Sequence, residues 1–303
     1  MVIVMALVAS FANVVASVMQ RLGVENAPAA SGPSLGMIRH MIQRPVWLAG
    51  FVIMFLAYCA QAVALHLGSL NIVQPLLVSE WVLLVLVLWL WYGTSLAPRD
   101  LAAAAATAIG LALFLLVSDP RDGSRVPSTT LWLVLGGVIT IVVAALVLLA
   151  RHGPAWWRAL ALGAAASVGF SLVAAITKSM TNELMTSWAA LLGSWQVYSL
   201  AVVGTVSFVI MQSAFQVGPF AASQSSLILT NPFISIVIGA LAFDESLRGG
   251  VIYRSLEVVS LLVMVIGVIS LATSPLVAGV HTEDDATHLL AGRGLLARRR
   301  GHH

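Results

Sequence analysis

Apolar stretches of about twenty residues alternate along the chain with short breaks, and that length is what a helix needs to cross a bilayer. Nine such stretches stand out, at roughly 2–20, 46–66, 71–92, 99–118, 130–150, 158–178, 194–215, 221–243 and 252–273. Between them lie Gly68, Pro98, Asp119-Pro120, Gly153-Pro154, Gly218-Pro219 and Gly249-Gly250, residues that favour turns over helix. A backbone in hydrocarbon must satisfy its own hydrogen bonds, so repeated runs of this length predict an all-α, polytopic membrane bundle of about nine transmembrane helices. The ten-residue alternating segments of an outer-membrane barrel are absent. The first run, MVIVMALVASFANVVASVMQ, has no basic residue ahead of it and leads into further spans, so it is expected to stay as the first helix.

Composition sharpens the picture. Sixty per cent of the 303 residues are hydrophobic and nine per cent are charged, against about a quarter charged in a soluble domain. A net charge of +3, scattered along the chain, gives no reason to expect nucleic acid as a partner. Membrane lipids are the implied surroundings, and a homodimer stays open. Basic residues favour cytoplasmic loops. Ten of the fifteen fall in the odd-numbered loops and the tail, and five in the even-numbered loops and their edges. The amino terminus is therefore expected outside the cytoplasmic membrane and the carboxyl terminus inside. From about residue 276 the chain is polar, reads as a mobile tail, and ends near Arg298, Arg299 and Arg300. Cys59, alone in an apolar run, reads as a small packing residue.

Two stretches resemble each other. LHLGSLNIVQPLL (Leu65 to Leu77) aligns with FQVGPFAASQSSL (Phe215 to Leu227), placing Gly68 on Gly218 and Gln74 on Gln224, both 150 apart. IGLALFLLVS (Ile109 to Ser118) likewise resembles IGVISLATS (Ile266 to Ser274). Spans one to four thus match spans six to nine, an offset of five, and since that offset is odd, equivalent helices enter the membrane from opposite sides. The expected layout is a first repeat at 1–129, a connecting span at 130–157, a second repeat at 158–275 and the tail at 276–303. Inverted repeats with a polar site between them are the construction of many secondary transporters.

Polar groups inside the spans are the candidate chemistry. A charge at mid-bilayer costs about 2.5–3.5 kcal/mol on insertion scales, so Glu80, near the middle of span three, should face protein or water. Such a carboxylate can exchange a proton or ligate a cation. It can equally form a structural ion pair with Lys178 at the end of span six or with Arg21 at the end of span one; both readings stand. Asn71, Gln74, Gln61, Gln212, Gln224 and Asn231 offer donors and acceptors without a full charge, which suits a site that binds a polar molecule and releases it. Each can instead simply join two helices. Symmetry favours substrate contact for Gln74 and Gln224. Pro75 and Pro232 free a carbonyl inside their spans. Trp81, beside Glu80, is a candidate for stacking on a ring-bearing substrate. The other tryptophans, Trp132 and Trp195 among them, read as an interfacial belt. Arg254 and Glu257, three apart, are expected to pair.

RPVWLAGFVIMFLAYCAQAVALHLGSLNIVQPLLVSEWVLLVLVLWL resembles the second and third helices of the drug/metabolite transporter superfamily, EamA-like and near its NIPA-like magnesium transporter branch. GPFAASQSSLILTNPFISIVIGALAFDESL is similar to the matching segment of the second half. There Asn231-Pro232 takes the helix-proline place and Asp244-Glu245 the loop carboxylate place. The loop YGTSLAPRD lacks the glutamate that its counterpart has, and no tenth span is evident. No GxxxxGK loop, HExxH motif or Cys-His cluster is present, so neither an enzyme nor a bound cofactor is expected. The expected function is secondary transport of a small polar or amphipathic metabolite by alternating access, with Glu80 and Lys178 as candidate coupling residues. Magnesium transport, flipping of lipid-linked sugars and a non-transporting scaffold are the alternatives.

Overall fold

The computed structural model describes residues 1–24, 43–92, 96–123, 125–184, 193–218 and 220–274, which are mostly helical. In chain order these are α1 (Val2–Val24), α2 (Pro45–Leu67), α3 (Leu70–Leu77), α4 (Glu80–Tyr92), α5 (Pro98–Ser118), α6 (Thr129–Leu149), α7 (Ala155–Leu184), α8 (Trp195–Val217), α9 (Phe220–Phe243) and α10 (Val251–Ala272). The starts follow local chemistry. Pro45 and Pro98 occupy first-turn positions, where a missing N–H costs nothing. The Ser128 hydroxyl accepts from Leu131 N at 3.3 Å and caps α6. Gly250, with φ 118°, turns the chain into α10 in a region that favours glycine.

Among the described residues, seven segments are long and apolar enough to cross a membrane: Pro45–Leu67, Leu70–Val87, Pro98–Ser118, Thr129–Leu149, Ala155–Thr181, Ser225–Phe243 and Val251–Ala272. Val2–Ala16 and Trp195–Met211 are apolar helices of shorter described length. Side chains such as Phe55, Leu116, Leu133, Ile141 and Ile252 stand exposed on the outside, an arrangement that suits acyl chains. Cys59 is exposed too, so it is not the packing residue that its apolar setting suggested.

The third predicted span, 71–92, is two helices. Pro75 has no N–H to give the Asn71 carbonyl. Val78 N and Ser79 N then bond three residues back, to Pro75 O and Leu76 O, both at 3.0 Å. These tight bonds close α3, and α4 restarts at Glu80, whose carboxylate in a first helical turn suits the positive end of the helix dipole. A cavity of about 230 Å³ lies beside the break, lined by Leu7, Leu76, Ser79, Val82, Ala108 and Leu111 among others.

Contacts sort the connections into two faces. On one, Gly68 lies against Val2, Arg121 and Ser246 exchange backbone hydrogen bonds at 2.9 and 3.3 Å, and Arg248 N donates to Ser118 O at 2.7 Å. On the other, Ser274 Oγ donates to Asp100 Oδ1, Arg99 donates to Thr273 Oγ1 at 3.2 Å, and Gly218 abuts the Ala155 carbonyl. Helices α5, α7 and α10 run from one face to the other.

Small residues let the helices approach, as membrane packing requires where apolar burial gives no drive. A Cβ on Gly110 would lie 2.5 Å from Met264 N and 2.8 Å from Ser260 O; a Cβ on Gly267 would lie 2.6 Å from Thr107 N and 2.8 Å from Ala103 O. Each glycine thus meets the residues three and seven positions before the other, so α5 and α10 cross antiparallel through a reciprocal contact. Along α7, Ala159, Ala161, Ala165, Ala166, Ala174 and Ala175 are buried against neighbouring helices. Gly163 admits the Ser223 carbonyl to 2.5 Å of its would-be Cβ.

Candidate functional site

Helices α3, α7 and α9 turn polar or small side chains towards one another. Asn71 and Gln74 lie one turn apart on α3, Asn231, Ser235 and Gly239 at spacings of four on α9, and Ser167 and Ser171 at the same spacing on α7. Asn231 Nδ2 donates to Gln74 Oε1 at 2.8 Å, joining α9 to α3. Ser171 Oγ donates to Asn231 Oδ1 at 2.8 Å, and Ser167 Oγ to Leu227 O at 2.6 Å, joining α7 to α9. Gln74 and Asn71 are fully buried, yet Gln74 Nε2 and both polar atoms of the Asn71 carboxamide have no hydrogen-bond partner among the described residues. Buried amides normally find partners, and orphans here mark a place where another molecule can supply them.

Above this seam, at the Gly68 face, sits a charged cluster. Lys178 Nζ donates to Glu245 Oε1 at 2.6 Å and to Asp122 Oδ1 at 3.3 Å. The Glu245 side chain is fully buried, that of Lys178 is 10 % exposed, and that of Asp122 is 54 % exposed. Glu245 also accepts from the first backbone amides of α3: Leu70 N to Oε1 at 2.9 Å and Asn71 N to Oε2 at 3.1 Å. Its carboxylate therefore caps a helix N-terminus and neutralises a buried lysine together. Gly239 makes room, since a Cβ there would stand 2.5 Å from Glu245 Oε2 and 3.0 Å from Asn71 Oδ1. The Phe243 ring lies under Lys178 Nζ at 5.2 Å. Trp132 packs edge-on against both Phe243 and Trp195, at 6.2 and 5.4 Å.

Several expectations need correction. Lys178 does not pair with Glu80: it is held by Glu245 and Asp122, because α7 continues to Leu184 and carries the lysine up to the connections. Glu80 is partly buried at the start of α4 and joins no ion pair among the described residues; the side chain of Arg21 lies outside them. Trp132 is buried in the aromatic cluster and does not stand in a lipid-facing belt. Arg254 lies close enough to Glu257 to interact with its charge but makes no described ion pair with it, and Glu257 Oε1 has no hydrogen-bond partner among the described residues. Trp81 is 3 % exposed in the core, with its indole N–H unpartnered among the described residues. Gln61 is partly buried on α2, with no described bond to the seam. The side chains of Gln212 and Gln224, and the tail from 275, lie outside the described residues.

Sequence reasoning missed the centre of the cluster. Glu245 sits in a connection, where a carboxylate is unremarkable, and only the resemblance singled it out. A buried lysine near a span end, needing a counter-ion, was the available signal.

No family model matches the chain, and no solved structure matches it. It is similar to an uncharacterized protein of Corynebacterium glutamicum, with 25 % identity over 241 residues that cover 78 % of this chain and 83 % of the relative. That relative's name assigns no activity to either chain.

Proposed function

We propose that this chain is a secondary transporter of the drug/metabolite transporter type, carrying a small polar or amphipathic molecule across the membrane by alternating access between two inverted halves. The observation that carries the reading is the three-helix polar seam, in which Asn71 and Gln74 keep unpartnered carboxamide atoms beside a helix broken at Val78-Ser79. Broken helices whose ends and freed carbonyls face a polar interior are the usual binding elements of such carriers. Gly110 packs on Met264 and Ser260 while Gly267 packs on Thr107 and Ala103, the reciprocal crossing expected of two antiparallel, pseudo-equivalent helices, which supports the inverted duplication. In the conformation described, the Lys178–Glu245 pair and the Arg121–Ser246 bridge close the seam at one face.

Two finer parts belong to the same reading. The closed face is external, since basic residues favour the opposite loops. Glu80, at the break, couples movement to protons. A magnesium carrier fits less well, because a hard cation wants several oxygen ligands. Among the described residues no three metal-ligating side chains converge, and the buried Glu245 is already engaged by Lys178.

The test is uptake of a labelled metabolite panel by purified protein in proteoliposomes, with and without a pH gradient. Accumulation above protein-free liposomes is expected. Failure across polar and amphipathic classes would count against transport, and undiminished pH-driven uptake by Glu80→Gln would exclude proton coupling.

A further inference from the structure

We infer that the place now filled by the Glu245 carboxylate is an anion site for cargo, so that the transported molecule carries a carboxylate or a phosphate; this rests on the carrier reading above. The groups that the helices α7 and α3 bring to Glu245 are electropositive. Lys178 belongs to α7, and the Leu70 and Asn71 amides belong to the first turn of α3. The buried carboxylate in contact with them, Glu245, belongs instead to the connection between α9 and α10, next to Asp244 in a left-handed conformation at φ 60°. A lysine and a helix N-terminus together select an anion. Glu245 satisfies that demand in the closed molecule as a tethered stand-in.

A second, independent feature points the same way. Asn71 is fully buried, both polar atoms of its carboxamide lack a partner among the described residues, and its Oδ1 comes within 3.0 Å of the same point beside Gly239 that Glu245 Oε2 approaches to 2.5 Å. One turn deeper Gln74 leaves its Nε2 unpartnered as well. Glu245 uses the backbone amides and the lysine but none of these side-chain atoms. A cargo anion in its place would have the same charge, and the rest of the molecule would extend along α3 past Asn71 towards Gln74 and Asn231. Exchanging one carboxylate for another keeps the balance with Lys178 and Asp122, whereas a cationic cargo would need the buried lysine to leave.

The experiment empties the site. Glu245→Ala is purified in detergent and unfolded thermally in equal ionic strengths of sodium acetate, inorganic phosphate, methylammonium chloride and sodium chloride. Binding to the folded state stabilises by RT ln(1 + [L]/Kd), so an anion at ten times its Kd shifts the unfolding equilibrium about ten-fold. Such a shift is expected with acetate or phosphate, and whichever dominates identifies the cargo group. It should be lost in Glu245→Ala/Lys178→Met and be weak in the natural protein, where Glu245 covers the site. Equal responses to all four salts, or an anion response that survives loss of Lys178, would overturn the proposal. Should Glu245→Ala not survive extraction in chloride, the yield of monodisperse protein in each salt is compared instead, and uniform failure counts against the site. An anion response without uptake of any carboxylate or phosphate compound into proteoliposomes leaves the site standing and removes the carrier reading. Uptake of uncharged metabolites without an anion response does the reverse.

Discussion

At the scale of single residues, the energetics turn on one buried lysine. Removing one partner of a buried ion pair leaves the other charge unpaired, a loss of about 3–5 kcal/mol. Lys178→Met and Glu245→Gln should each be destabilised by that order, and the double variant by less than the sum of the two. Denaturation in detergent reads this cycle, and strictly additive losses would show that the two side chains are not coupled. Gly239→Ala should imitate the loss, because its methyl would stand 2.5 Å from Glu245 Oε2. Gly136→Ala, with nothing within 4 Å of the added methyl, should be neutral or gain a few tenths of a kcal/mol from helix propensity. The intramembrane amides were legible in the sequence because a polar group in an apolar run has few innocent explanations. Their partners were not, since the Gln74–Asn231 bond spans 157 positions and depends on the register of two helices. Lys178 was visible too, but Glu80 was the partner weighed for it, and the partner it takes, Glu245, lies 67 positions away in a connection.

At the scale of elements, backbone proximity sets the tolerances. The α5–α10 crossing brings each glycine within 2.5–2.8 Å of backbone atoms of the facing helix, measured to its would-be Cβ. Rigid backbone cannot yield as a side-chain tip can. Gly110→Leu or Gly267→Leu should therefore force the helices apart and abolish monodisperse protein, measured by size-exclusion chromatography in detergent; normal folding of both would mean that the close α5–α10 crossing does not hold the fold together. Pro75→Ala addresses the broken third span, because it restores an N–H facing the Asn71 carbonyl. Stability is expected to rise slightly and uptake to fall, through a straighter α3–α4 that no longer pivots beside the cavity. Unchanged uptake would remove the break from the mechanism. An all-helical, apolar architecture was legible from apolar length and Gly-Pro punctuation, as at Gly218 and Asp119-Pro120, with seven of the expected spans long and apolar enough to cross a membrane among the described residues. The break at Val78-Ser79 was not, because hydrophobicity continues straight through it and only the hydrogen-bond ladder is interrupted.

At the scale of the whole molecule, the chain is an all-helical bundle with an apolar exterior, a charged lock at one face and a polar seam beneath it. The alignment of IGLALFLLVS with IGVISLATS sets Gly110 on Gly267, and each of these glycines packs on the helix that carries the other. An alignment cannot show that the two helices meet, since sequence similarity carries no distance. The central claim is that the seam formed by Asn71, Gln74, Ser171, Asn231 and Ser235 opens to each side in turn. Its most direct measurement is thiol accessibility of Ser171→Cys and Ser235→Cys, each in a Cys59→Ser background, to a membrane-impermeant reagent applied separately to right-side-out and inside-out vesicles. The account predicts labelling from both sides, with Glu245→Gln raising the rate at the face closed by Lys178 and Glu245. Absence of labelling from either side in both variants would mean a dry seam and would contradict it.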